Sequence, residues 1–555
     1  MRVVGFHSVF SLIFLLEAHV SISMCIRPEE LSGKLFTHVD KKKMLTKVRE
    51  MFDFSFTNYM RHAYPLDELD PIHCTGRGYD FANRQNINVN DALGNYQLTL
   101  VDSLDTLAVC DELFSFKHAV ELITHSLNFH IDTVVQVFES TIRVLGGLLS
   151  AHLMITDPKK RFKSLRPDHY ADELLSLAHD LANRIIVAFE GTPSGIPFPR
   201  VNLRLSSVET LGYSHTCLAG AGSLLLEFGT LSLLLKDPTY AETARRVVLQ
   251  LWKRRSNVTG LLGTDIDLIS GKWVNQMTGV GAGQDSFYEY LLKSRIAFDD
   301  KQMGQMFDSA LRSLNYHLRG NETSCTRKDG LPSAYWNVNM YTGGITNYWI
   351  DSLQAAWPGI LALAGAVEEA KCQHSIHLSI WRRFGLPPER YNLLSKTPDL
   401  SFYPLRPEFA ESTYHLYRVT KDPFYLSVGA EIVLNLDKYA RAKCGFATIH
   451  NVQDMSQEDR MESFFLSETL KYLYLVRPFP SHSLLSILRE VFLSVNMVRR
   501  RYHPSCAGTP QRSYILSAPE NRILGVNSTV NHTAFRSLYS RSPGHSWVWM
   551  PCMAA

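Results

Sequence analysis

The sequence predicts an all-α protein built from recurring helical hairpins, and three observations carry that expectation. From about residue 40 to residue 476, long amphipathic segments alternate with short Gly, Pro or Asp breaks. Strand-like period-two runs are scarce over the same span. A helix, a Lys-Asp-Pro turn and a second helix occur in the run from Thr216, and again in the run from Arg406. Hairpins repeated over so many residues either stack as an open solenoid or close into a ring of inner and outer helices. A solenoid offers a long groove to a protein partner, whereas a ring gathers its inner-helix ends around one pocket.

The chain begins with Arg2, an apolar stretch Val9 to Leu16 and the small residues Ser21 and Ser23, so residues 1–23 are expected to be a signal peptide. Left uncleaved, the same stretch would act as a membrane anchor, but it is short for a bilayer span. The apolar stretch from Cys217 to Leu235 carries Glu227 and several Gly and Ser residues, which favours a buried core helix over a membrane span. Residues 40–476 form the expected helical domain. Residues 477–555 differ in composition, with nine Arg, two Glu and no Lys or Asp. This Arg-rich end reads either as a disordered appendage or as a sequence artefact. The abrupt stop of KYLYLV before Arg477-Pro478-Phe479-Pro480 favours the second.

The composition narrows the function. The chain has 555 residues, 45% of them hydrophobic and 20% charged, enough to bury a large core. Lys plus Arg number 57 against 54 for Asp plus Glu, and this balance gives no electrostatic reason to expect nucleic acid. Nine cysteines are scattered without C-x-x-C pairs, which argues against a zinc-thiolate site and, behind a signal peptide, for disulfides. Asn257, Asn321, Asn527 and Asn531 each open an N-x-S/T sequon that a secreted chain can glycosylate. Nothing matches a P-loop, a dinucleotide fingerprint or a G-x-S-x-G elbow.

Four segments place carboxylates and an aromatic at the start of strongly apolar helices: VFESTIRVLGGLL, GAGQDSFYEYLLK, RPEFAESTYHLYR and RMESFFLSETLKYLYL. One carboxylate at a helix start needs no function, since it caps free N–H groups for about 0.3–1 kcal/mol. Four of them would converge in a closed ring. Glu139 and Arg143 are four apart, Asp285 and Glu289 four apart, and Glu408 and Glu411 three apart, so each pair shares a helical face. Glu289 reads as a surface residue. Several carboxylates with an aromatic such as Phe464 suit sugar hydrolysis, in which one carboxylic acid protonates the leaving oxygen and another carboxylate activates water. A crowded acidic pocket also raises pKa values or attracts a hard cation such as Ca²⁺.

At these segments, and at YQLTLVDSLDTL from Tyr96, the chain resembles the class I α-1,2-mannosidases, glycoside hydrolase family 47, and within it the ER degradation-enhancing α-mannosidase-like members. The resemblance spans roughly residues 45 to 476. It implies an (α/α)7 barrel that removes α-1,2-linked mannose from high-mannose N-glycans with inversion. It makes Glu139 the general acid, Glu408 the base, Asp285 a third catalytic carboxylate and Glu389 a fourth acidic position. Arg143, Arg406, Glu411, Phe464 and Glu468 correspond to residues around the substrate and metal. Family members bind Ca²⁺ through a threonine in a T-E motif after the last long helix; no such motif follows Val476, so the metal ligands are unassigned. Ser352 stands where the processing enzymes carry a histidine.

The resemblance also implies a disulfide between Cys74 and Cys444, a thioredoxin-like redox partner and misfolded glycoproteins as substrates. It places the protein in the endoplasmic reticulum lumen, with membrane association if the signal stays uncleaved. A catalytically inactive, lectin-like mannose receptor is the alternative expectation, and a helical interaction scaffold is a third.

Overall fold

The Lys-Asp-Pro turns show how the chain folds back on itself. The helix Leu225–Leu235 ends at Lys236, whose left-handed backbone (φ 59°) stops the helix, and the helix Thr239–Lys253 starts after Pro238. The second copy repeats the device. Lys421 (φ 58°) ends the helix Glu408–Thr420, the Asp422 side chain accepts the Phe424 N–H, and Pro423 opens the helix Pro423–Tyr439.

The computed structural model describes residues 38–476, except 159, 161 and 209–213. The expected signal peptide, the Arg-rich end and the sequons at Asn527 and Asn531 lie outside the described residues. Asn257 and Asn321 lie in exposed turns.

Seven helix pairs make up the described chain. The inner helical segments begin at Leu98, Val137, Leu218, Asp285, Ser352, Glu408 and Phe465; the outer ones begin at Leu113, Glu173, Thr239, Lys301, Val367, Pro423 and His38. Each inner segment packs on the next, and the last closes on the first. Closure is made by Thr106 Oγ1 donating to the Ser467 carbonyl at 3.2 Å and by Lys471 Nζ on Asp105 at 2.7 Å. The outer helix His38–His62 covers this seam, packing on Leu470–Leu475 and Pro423–Tyr439. The ring, not the solenoid, is the architecture. Gly147 lets two inner walls meet, since a Cβ there would lie 2.8 Å from the Val101 carbonyl oxygen.

Short antiparallel strands stand just before the inner helices: Val134–Gln136 runs into Val137, His215–Cys217 into Leu218, and Trp349–Asp351 into Ser352. Because hairpins alternate direction, all inner helices run the same way, and their N-termini gather at the end that carries the strands. The stretch from Cys217 to Leu235 is an inner wall, broken at Ser223. A disulfide joins Cys74, beside the first strand pair, to Cys444, a sequence separation of 370 residues. A second disulfide links Cys325 and Cys372.

Candidate active site

Glu139 closes the helical turn Val137–Glu139 and leads into a π-helical turn, Ser140–Leu145. Such turns add a residue per hydrogen-bonded ring and often sit at functional sites. Arg143 Nε donates to Glu139 Oε2 at 2.8 Å, its Nη1 donates to Ser463 Oγ at 3.2 Å, and its guanidinium lies 5.4 Å from the Phe464 ring centroid. Phe464 opens a second π-helical turn, Phe465–Thr469, which carries Glu468.

Asp285 and Glu408 are each the first residue of an inner helix. Asp285 Oδ1 accepts the Ser286 N–H at 2.8 Å. Its Oδ2, both oxygens of Glu408 and both oxygens of Glu468 have no hydrogen-bond partner among the described residues. Glu389 is held differently. Arg406 donates to it through Nε at 2.7 Å and Nη2 at 2.5 Å, and Ser352 Oγ adds a third bond at 2.6 Å. A carboxylate so fully engaged is a clamp on Arg406 rather than a free acid or base.

The catalytic and substrate-side residues named from the sequence, from Glu139 to Glu468, lie in one buried network, none of them more than 5% exposed. Arg143 joins Glu139 to Glu462, Glu462 acts on Arg406, Arg406 acts on Glu389 and Glu408, and Glu408 acts on Asp285 and Glu468. Burial pushes Glu139 up to about 7, against the pull of Arg143. Burial likewise pushes Glu408 and Glu411 up to about 8. Asp285 and Glu468 are raised well above the carboxylate range by burial, with neighbouring carboxylates adding to it.

Glu289 does not sit on the surface: it is fully buried, pushed up to about 7 by burial, and ion-paired with Lys293 at 2.8 Å. An inner helix has neighbours on all sides, so its polar face is no guide to solvent. Several further acids, Asp102, Glu462, Glu68 and Asp351, were not singled out from the sequence. Asp102 accepts from Ser463 Oγ at 2.7 Å and Ser467 Oγ at 2.8 Å. Glu462 ion-pairs with Arg460 and hydrogen-bonds to Glu68, which burial and Glu462 raise well above its ordinary value. Asp102 and Glu462 stand inside YQLTLVDSLDTL and RMESFF; the available signal was a charge embedded in an otherwise apolar run.

Among the described residues, no group of three His, Cys, Asp or Glu is set to grip a metal directly. The open oxygens of Glu408 and Glu468 fit a hydrated hard cation, which Ca²⁺ is, because its waters can bridge to carboxylates that have no other donor.

Two buried carboxyls raised above the ordinary carboxylate range, one of them with both oxygens open, suit glycoside hydrolysis, and a closed ring of seven helix pairs is an (α/α)7 barrel. Comparison with known proteins agrees. The family model "Glycosyl hydrolase family 47" matches residues 51–494. The chain is 44% identical over 471 residues to the ER degradation-enhancing alpha-mannosidase-like protein 1 of Schizosaccharomyces pombe, covering 85% of this chain and 57% of that protein. It is 38% identical over 432 residues to the human ER degradation-enhancing alpha-mannosidase-like protein 2, covering 78% and 70%. The alpha-1,2-mannosidase from Trichoderma reesei superposes with a TM-score of 0.67 at 26% identity, covering 80% of this chain and 94% of that one. The chain belongs to glycosyl hydrolase family 47, and it spans just over half the length of the fission-yeast relative.

Proposed function

We propose that this chain is an inverting α-1,2-mannosidase-like hydrolase that trims high-mannose N-glycans on misfolded glycoproteins in the endoplasmic reticulum and so commits them to degradation. The observation that carries the reading is the contrast between two buried carboxyls: Glu139, pinned at one oxygen by Arg143, and Glu408, open at both. The names of the relatives, which couple α-mannosidase to ER degradation, support mannose as the sugar and the endoplasmic reticulum as the compartment.

In this reading Glu139 holds its proton on Oε1, the oxygen not taken by Arg143, and gives it to the leaving glycosidic oxygen. Glu408 accepts a proton from the attacking water on the opposite face. Asp285, at the head of the next inner helix but one, orients groups around that water, and Phe464 stacks on the sugar. Arg406, clamped by Glu389 and Ser352, binds a sugar hydroxyl. Glu389 is thereby a positioning residue. Glu408 and Glu468 would hold hydrated Ca²⁺, with Glu411 behind them, and the ion would supply positive charge that favours the ionised form of Glu408. The Cys74–Cys444 disulfide is the point where a thioredoxin-like partner would act.

The stereochemistry tests the assignment. Mannose freshly released from a high-mannose glycoprotein, followed by NMR, should appear first as the β-anomer, and Glu408→Gln should abolish release. Release of the α-anomer would contradict the roles given to Glu139 and Glu408.

A further inference from the structure

The strand Val134–Gln136 pairs with the strand Arg200–Asn202 so that Gln136 lies directly opposite Arg200, and both side chains reach Asp91. Arg200 grips both oxygens of Asp91, through Nε and Nη2 at 2.6 Å each, and Gln136 Nε2 donates to Asp91 Oδ2 at 3.4 Å. A carboxylate held by arginine only accepts, so it fixes the Gln136 amide: the nitrogen faces Asp91 and the oxygen faces away. That oxygen, Oε1, has no hydrogen-bond partner among the described residues, although Gln136 is only 7% exposed. A buried acceptor left open carries its full desolvation cost, which a donor on a ligand removes.

The position of Gln136 identifies the donor. It stands just before the turn Val137–Glu139, and side chains so placed meet each other, as in a capping box. Gln136 makes no cap bond, since Nε2 is spent on Asp91 and Oε1 accepts nothing. The other open oxygen of the two is Glu139 Oε1, which carries the proton for the leaving oxygen. Burial raises Glu139 against the pull of Arg143, and the Asp91 charge adds to the rise, so the Asp91 cluster lies within electrostatic reach of the acid. In an α-1,2 linkage the leaving oxygen sits on C2 of the mannose that stays on the glycan, flanked by C1 and C3. The C1 oxygen is an ether to the rest of the glycan, whereas the C3 oxygen is a hydroxyl, so of the two only C3 offers a proton to an amide oxygen.

We propose that Gln136 is a specificity residue for the mannose on the leaving side, accepting its C3 hydroxyl on Oε1 while Glu139 protonates the oxygen on C2. The proposal rests on the hydrolase reading above. Asp91 and Arg200 are positioning residues, which hold the amide so that it presents an acceptor and not a donor. The site thereby takes a mannose joined through C2 with a free hydroxyl at C3, and a leaving sugar without that hydroxyl leaves the amide oxygen buried and unpaired.

The test uses the full chain and two synthetic probes, an α-1,2-mannobioside and its counterpart lacking the C3 hydroxyl on the leaving-side mannose. Wild type should cleave the deoxy probe with kcat/KM lowered about tenfold or more, a comparison that needs no variant. Gln136→Met, which keeps the side-chain length and removes the amide, should lose about tenfold on the parent probe and lose nothing on the deoxy probe. A circular dichroism melt identifies misfolding, and a merely distorted site would lose activity on both probes alike. Equal kcat/KM of wild type on the two probes overturns the proposal, and so does an equal loss on both by a folded Gln136→Met protein. Either result leaves the hydrolase reading intact when wild type trims a denatured high-mannose glycoprotein. A wild type that releases no mannose from that glycoprotein removes the hydrolase reading, and the role of Gln136 with it.

Discussion

Arg143 Nε lies 2.8 Å from Glu139 Oε2 across one helical turn, and both side chains are buried. The pair orients the glutamate and leaves its other oxygen open. Replacing Arg143 by Met removes a charge whose partner stays in the core, so thermal unfolding should show a loss of about 3 kcal/mol. Calorimetry on the variant checks this, and a change below about 0.5 kcal/mol would show that the contact contributes little.

The same pair sets a pH dependence. Glu139 is raised to about 7 and as the acid must be protonated, so trimming should fall above about pH 7, while Glu408, raised to about 8 and needed ionised as the base, should weaken it toward acid pH as well, leaving a narrow optimum near neutrality. Arg143 lowers that pKa, so a folded Arg143→Met protein should keep its residual activity to higher pH. A basic limb that moves down in the variant would be inconsistent with Glu139 as the acid.

Periodicity left ring and solenoid open, and only the family resemblance implied closure, whereas the helix-start carboxylates were legible in the sequence because they interrupt apolar runs at helix N-termini. Glu139, Asp285 and Glu408 all stand there. Amphipathic periodicity placed the outer helices, which do have a wet face. It failed for inner ones, where Glu289 looked solvated and is enclosed. Glu68 and Asp351 were hidden because they sit at short strands, whose partners are set by tertiary contact. The π-helical turns at Ser140–Leu145 and Phe465–Thr469 have no composition of their own.

Gly281 tests the turn that sets Asp285. The Gly281 carbonyl accepts the Asp285 N–H at 3.1 Å, and a Cβ on Gly281 would lie 2.5 Å from both carboxylate oxygens of Asp351. Asp351 in turn accepts from the Gln354 N–H at 3.0 Å and the Ala282 N–H at 3.2 Å. Gly281→Ala should cost about 1–3 kcal/mol of stability and most of the trimming activity. A variant as stable as wild type in urea would show that the contact relaxes freely.

Acid and stability are linked through the same burial. Glu139 and Glu289 are raised to about 7, and Glu227 and Glu411 to about 8, from a reference of 4.5. Between those values the native state binds more protons than the unfolded chain, so stability falls as pH rises. In chelating buffer the melting temperature should therefore drop from pH 5.5 to pH 8. A rising melting temperature would mean that these carboxyls are ionised in the native protein.

The most direct measurement is mannose release from a denatured high-mannose glycoprotein by wild type and by Glu139→Gln, with glycan binding followed in parallel. Wild type should trim, and Glu139→Gln should bind the glycan yet trim at least about 100-fold more slowly. Equal trimming by both proteins, or glycan binding with no trimming by the wild type even when a thioredoxin-like partner and Ca²⁺ are supplied, would contradict the account and leave a mannose receptor in its place.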